Sequence, residues 1–247
     1  MVRKASREHD CAERRGPITV PVMGEESDNS GHRGRLRQRL LADPDGLLDH
    51  ELVEYLLALA IPRRDTKPLA KALLKEFGGI AGLLTADPEV IAQTKGMGET
   101  SVAAIKIAHA AALRMLRAEV EAKPVLSNWQ ALLDYLRADM AHSGIERVRV
   151  LHLNTRNMLI RDEELSEGTI DEAPVYVREV IRRAMDLKSA AIILVHNHPS
   201  GDPAPSRADI DLTRAVIEAG KPLKIAVHDH IIIGTKGFTS LRGQGLI

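Results

Sequence analysis

Two histidines two residues apart, His196 and His198, stand before a Pro/Gly-rich stretch and then Ser206 and Asp209, all within "ILVHNHPSGDPAPSRADIDLTRAV". In an extended segment, side chains two apart point to the same side, so both imidazoles can aim at one point just beyond a strand. Two convergent imidazoles are a partial zinc site. Catalytic zinc takes three protein ligands at roughly 2.0–2.2 Å for N and O donors and keeps a fourth position open. The "PSGDP" run turns the chain back sharply. A carboxylate in the first turn of the following helix then faces the end of the strand, which makes Asp209 the expected third ligand.

Ser206 and Asp209 are also a capping-box pair, a serine cap with an acid three residues on. A lone His-x-His is equally weak evidence: His228 and His230 in "VHDHIIIG" have the same spacing with no helix-borne Ser-x-x-Asp after them. It is the conjunction of His-x-His, tight turn and helix-opening Ser-x-x-Asp that points to a metal. Cys11, the one cysteine, lies in the polar N-terminal stretch, so neither a disulfide framework nor a cysteine-based zinc site is expected.

The elements that must position these residues can be read from periodicity. "AAIILVHNH" reads as a buried strand, "SRADIDLTRAVIEAG" as a helix closed by Gly220, and "LKIAVHDHIIIG" as another strand. "RVRVLHLNTRNMLIRDEEL" alternates on both sides of a turn, the pattern of a hairpin, while "SNWQALLDYLRADMA" and "VYVREVIRRAMDL" are helical. Strands interleaved with helices predict an α/β domain over residues 124–247, with a sheet and covering helices.

Upstream, the pattern is helical. "DHELVEYLLALAI" has a cap at Asp49 and stops before Pro62; "TKPLAKALLKEFGG" has Pro68 in its first turn and exits at Gly78 and Gly79. "IAGLLTADPEVIAQTKGMGETSVAAIKIAHAAALRML" predicts two more helices around a tight connection. "HRGRLRQRLLADP" places Arg33, Arg35, Arg37 and Arg39 at alternate positions, either a solvated first helix or a phosphate-contacting patch. The expected organisation is a flexible leader over 1–30, an all-helical domain over 31–122, and the α/β domain.

Hydrophobic residues make up 44% of the chain, ample for real cores. Lys plus Arg equals Asp plus Glu at 34 each, so net charge offers no broad attraction to nucleic acid, and 2% aromatic content argues against a base-stacking surface. No apolar run approaches the roughly 20 residues that span a bilayer. The opening "MVRKASREHDCAERRGP" is charged where a signal peptide is apolar. A cytoplasmic location and no membrane partner are the expectations.

The conjunction resembles the JAB/MPN (JAMM) metallopeptidase motif, an upstream Glu, then His-x-His, seven residues, and Ser-x-x-Asp; here "PSGDPAP" supplies the seven. More closely, "HNHPSGDPAPSRADIDLTR" together with "HDHIIIG" and the helical region is similar to the RadC family, in which a JAB/MPN-type domain follows a helix-hairpin-helix-like region. The resemblance covers roughly residues 31–247. It implies His196, His198 and Asp209 as zinc ligands and Ser206 as a donor to the oxyanion of a tetrahedral intermediate. It also implies a glutamate general base just before an early strand, which takes the proton of the attacking water and passes it to the leaving amine. "SGIERVRVLHLN" makes Glu146 that candidate, with Glu179, Glu163 and Glu164 as rivals. The family tends to carry His-Pro before Arg-Glu where this chain has Tyr176 and Val177 before Arg178 and Glu179. Asp229 and His230, in the family's "DHIIIG" segment, either orient a ligand imidazole or simply pack in a strand.

These residues imply a zinc-dependent peptidase or isopeptidase, connected to DNA repair through the family alone. The alternative is a non-catalytic DNA-binding accessory protein with a structural metal. "KGMGETS" joins two helices, and its glycines expose backbone N–H groups at a helix N-terminus, a geometry that holds phosphate without reading sequence. It resembles a helix-hairpin-helix element, with Lys95, Gly96, Gly98 and Lys106 as candidate DNA contacts; a plain interhelical turn is the other reading. Glu99 at the tip opposes phosphate.

Overall fold

The computed structural model describes residues 28–167 and 176–247. Apart from its last three residues, which open the first helix, the expected leader lies outside the described residues. The N-terminal region is helical throughout: α1 (Asp28–Ala42), α2 (Asp49–Ala60), α3 (Lys67–Glu76), α4 (Ile80–Thr85), α5 (Pro88–Gln93) and α6 (Glu99–Ala122). Where two helices were expected after Ile80, three form. Pro88 lacks the N–H that would continue α4, and the Asp87 carboxylate accepts the Glu89 N–H at 2.7 Å, which starts α5 instead.

The start of α2 is also displaced by one residue. Its cap is Leu48, whose N–H is taken by the Glu51 carboxylate at 3.0 Å, so Asp49 is the first helical residue and acts there as an acid at a helix N-terminus. The α1 arginines are partly spoken for by the protein itself. Arg33 donates to the carbonyls of Ile61, Pro62 and Arg64 at the exit of α2, and Arg39 pairs with Glu51.

The α/β region comprises α7 (Trp129–Met140), β1 (Arg147–Leu153), β2 (Leu159–Glu167), α8 (Val177–Asp186), β3 (Ala191–Asn197), α9 (Arg207–Gly220), β4 (Ala226–Gly234) and β5 (Gly237–Ser240). The sheet order is β2-β1-β3-β4-β5, mixed because only β3 and β4 run parallel. Strand β3 is central and buried along its whole length, which is why it reads as a continuous apolar run rather than an alternation. Its Ala191, Ile193 and Val195 pack with α7; its Ile192 and Leu194 face the opposite layer of α8 and α9.

Helix α6 belongs to both packing units. Val102 and Ile105 sit in the core of the helical region with Leu57, Leu73 and Leu83, whereas Val120 lies in the core under α7 and the sheet. At 1.5 Å per residue this helix is about 36 Å long.

Candidate metal centre

The C-terminal end of β3 faces a gap bounded by the N-terminus of α9 and the loop entering β1. His196 is 1% exposed near the end of β3, and His198 follows the strand immediately. The turn after it closes when the Gly201 N–H donates to the His198 carbonyl at 2.9 Å. Gly201 has φ +79°, and a Cβ there would stand 2.2 Å from the Thr235 hydroxyl, so both backbone and space require glycine.

The capping box of Ser206 and Asp209 forms, and it leaves the Asp209 carboxylate beside the imidazoles. The Ser206 side chain accepts the Asp209 N–H at 3.2 Å, and Asp209 Oδ2 accepts the Ser206 N–H at 2.7 Å, a complete capping box. That same anchoring points the Asp209 carboxylate, only 2% exposed, at the imidazoles. Its Oδ1 is 3.4 Å from His196 Nε2 and its Oδ2 is 3.8 Å from His198 Nε2.

Hydrogen-bond polarity fixes what the imidazoles present to one another. His198 Nδ1 lies 2.9 Å from the Asp202 carbonyl, which can only accept, so Nδ1 carries a proton and, in the neutral ring, Nε2 presents a lone pair. For His196 the same logic runs through buried intermediaries. Thr213 donates its hydroxyl to the Asp209 carbonyl at 2.5 Å and therefore accepts from His230 Nδ1 at 2.6 Å. His230 Nε2 is then the acceptor for His196 Nδ1 at 2.8 Å, which leaves His196 Nε2 as a lone pair too. Two lone pairs thus face each other at 2.9 Å beside a carboxylate. That arrangement is repulsive unless a cation lies among the three groups, and a tetrahedral ion bound at about 2.0–2.1 Å would hold its ligands roughly 3.3 Å apart. The donor set fits zinc.

Burial reinforces the neutral state of His196 and His230. It lowers the His196 pKa to about 4, with the neighbouring His198 acting in the same direction and Asp209 opposing. Burial likewise pushes His230 well below the ordinary imidazole value. Neutral imidazole is the form that ligates metal.

Glu146 completes the site from the loop before β1. Its carboxylate and the two imidazoles offer ligand atoms all within 4.8 Å of one another. Its Oε1 is buried without a hydrogen-bond partner, and burial raises its pKa, helped by the Asp209 charge and opposed by His198. The rival glutamates are engaged elsewhere. Glu163 is held by Arg183 at 2.6 Å, Glu164 lies 3.6 Å from Arg147, and Glu179 pairs with Arg182 at 2.9 Å.

Of the "DHIIIG" pair, His230 orients a site imidazole and Asp229 does not. Asp229 accepts the backbone N–H groups of His230 and Arg242 and the Ser240 hydroxyl, tying down the turn after β5. His228, half of the second His-x-His, bonds Asn157 at 2.7 Å, away from the site. Thr213 and Asn197 were passed over in the sequence. Both are buried polar residues, Thr213 one helical turn beyond Asp209 and Asn197 between the two histidines, and that placement was the available signal. Replacing His230 by phenylalanine keeps the volume but removes the acceptor for His196 Nδ1–H. Zinc affinity, read by competition with a chromogenic chelator, should fall by about 10–100-fold.

In the helical region, Gly96 has φ +101° and lies against the Arg64 guanidinium, and Lys95 beside it is exposed. The Gly98 N–H donates to the Ser101 hydroxyl at 2.8 Å. Lys106 turns inward: its ammonium binds the carbonyls of Leu84 and Ala86 at the end of α4, at 2.8 Å for Leu84. Among the described residues, no helix is long and apolar enough to cross a membrane.

The family model of the RadC-like JAB domain matches residues 126–246, the stretch that contains the sheet, α7 to α9 and every residue of the candidate centre.

Proposed function

Because the chain belongs to the RadC family, with its RadC-like JAB domain over residues 126–246, we propose that it is a zinc-dependent hydrolase of peptide or isopeptide bonds. The observation that carries this reading is the pair of imidazole lone pairs 2.9 Å apart, each oriented through its other nitrogen, beside the buried Asp209 carboxylate. His196, His198 and Asp209 would hold the ion. Bound there, zinc would supply Lewis acidity toward a carbonyl and a water molecule.

The remaining chemistry falls to the chain's own side chains. Glu146, with one oxygen unpartnered and a raised pKa, is suited to take the proton of the attacking water and return it to the leaving nitrogen. Ser206 spends a lone pair on the Asp209 N–H, which leaves its hydroxyl proton as a donor for an oxyanion. Elemental analysis of the purified protein tests the premise. About one zinc per chain is expected for a site of this type; no bound metal even after zinc reconstitution would overturn it.

A second reading, phosphate contact by the helical region, is favoured by the exposed Lys95 next to the Arg64-backed Gly96 turn. Connection to DNA repair rests on this surface and on the family. Lys95→Glu should weaken binding to a duplex probe several-fold at low salt, with the difference shrinking as salt rises. Equal binding by variant and wild type at low salt would remove the hairpin from the interface.

A further inference from the structure

Asn197 occupies the variable position of His-x-His, and alternation turns its side chain to the face of the sheet opposite His196. It is fully buried. The register of β1 against β3 pairs Val148 with His196, so the next pair along would be Arg147 with Asn197. At that position the side chain takes the place of the ladder. Asn197 Oδ1 accepts the Arg147 N–H at 3.0 Å, and Asn197 Nδ2 donates to the Ile145 carbonyl at 3.0 Å.

These two backbone groups belong to the two peptide planes on either side of Glu146. Each plane is rigid, and between them only the φ and ψ of residue 146 are soft. One planar side-chain amide bonded to both planes fixes their mutual orientation and hence the direction of the Glu146 Cα–Cβ bond. Of the other contacts to this loop, the Ser143 hydroxyl donates to the Ile145 carbonyl at 2.7 Å and so touches one plane, while the Arg147 guanidinium reaches the Asp139 carbonyl at 2.7 Å and touches neither.

We infer that Asn197 is a positioning residue for Glu146: its bidentate amide, carried between the two histidines on one strand, sets where that carboxyl stands relative to both imidazoles. Strand β3 thereby locates the metal-binding rings on one face and the glutamate through the other. The inference rests on the hydrolase reading for its consequence in catalysis, though not for its geometry.

The test uses the full chain with Asn197→Ala and Asn197→Ser, the latter refilling part of the space without spanning both backbone groups. Three readouts are taken: zinc content, exchange of the Arg147 amide hydrogen, and paramagnetic relaxation of the Glu146 carboxyl carbon in the Co²⁺-loaded protein. Relaxation falls steeply with distance from the ion, so it reports the placement of Glu146, which a merely fold-stabilising side chain would not change. Zinc content equal to wild type, Arg147 exchange about tenfold faster and weaker relaxation at Glu146 are expected in both variants. Unchanged relaxation in folded variants would overturn the inference, as would loss of zinc, which would place the role of Asn197 at the ligands. Unfolding of both variants would also overturn it, since the amide would then be a requirement of the fold. If the wild type takes up neither Zn²⁺ nor Co²⁺, the hydrolase reading falls, whereas the Arg147 exchange rates still decide whether the clamp exists.

Discussion

Glu146→Gln should leave zinc content unchanged and lower the rate of amide-bond hydrolysis by roughly 10²–10⁴-fold, the usual contribution of a positioned general base. Glutamine matches the shape of the side chain and loses only the capacity to hold the transferred proton. The burial that raises the Glu146 pKa makes its carboxyl a readier proton acceptor than an exposed one, while Asp209, already committed to the Ser206 N–H, is left as a ligand. On the proposed reading, the surroundings of these two carboxylates suit them to different roles. The measurement is a peptide-cleavage screen with wild type, followed by kcat and KM of the variant on the best substrate. A variant as fast as wild type would remove Glu146 from the chemistry; joint loss of zinc and rate would make it a ligand.

His198→Ala should abolish stable zinc binding, taking the content from about one ion per chain to near zero, because catalytic zinc sites rely on three protein ligands. The substitution leaves the His196 Nε2, oriented by His230, and the buried Asp209 carboxylate with one imidazole partner fewer. The matched control is His228→Ala in the second His-x-His, whose ring bonds Asn157 instead. Full zinc content is expected in that control. A His198→Ala protein that still carried one zinc would move the metal away from this centre altogether.

Much of the architecture was legible because local physics dominates it. Helical periodicity, Pro68 near the first turn of α3, the glycines after it, and the hairpin at Asn154–Met158 all act within a few residues, and the elements form where those signals stand. Boundaries shifted where two local signals competed, as at Leu48 and Asp49, or at Asp87-Pro88, where a cap and a missing donor split one expected helix into two. Lys106 shows the other limit. Its charge made it a candidate phosphate contact, and only the packing of α6 on α4 shows its ammonium bonded to the carbonyls of Leu84 and Ala86.

By itself, the sequence brought together the donor residues of the candidate centre. Two histidines on one strand face, a sharp glycine turn and a helix-opening Ser-x-x-Asp have their mutual geometry set within a stretch of fourteen residues, His196 to Asp209. Only the tertiary structure decided which glutamate joins them, since Glu146 lies fifty residues from His196 along the chain and arrives through the β1–β3 register. The tertiary structure likewise decided which nitrogen of His196 faces the site. That choice depends on Thr213 and His230, brought together by packing across α9 and β4, and spacing in the chain carries no trace of it, whereas His198 is oriented within the turn by the Asp202 carbonyl four residues on.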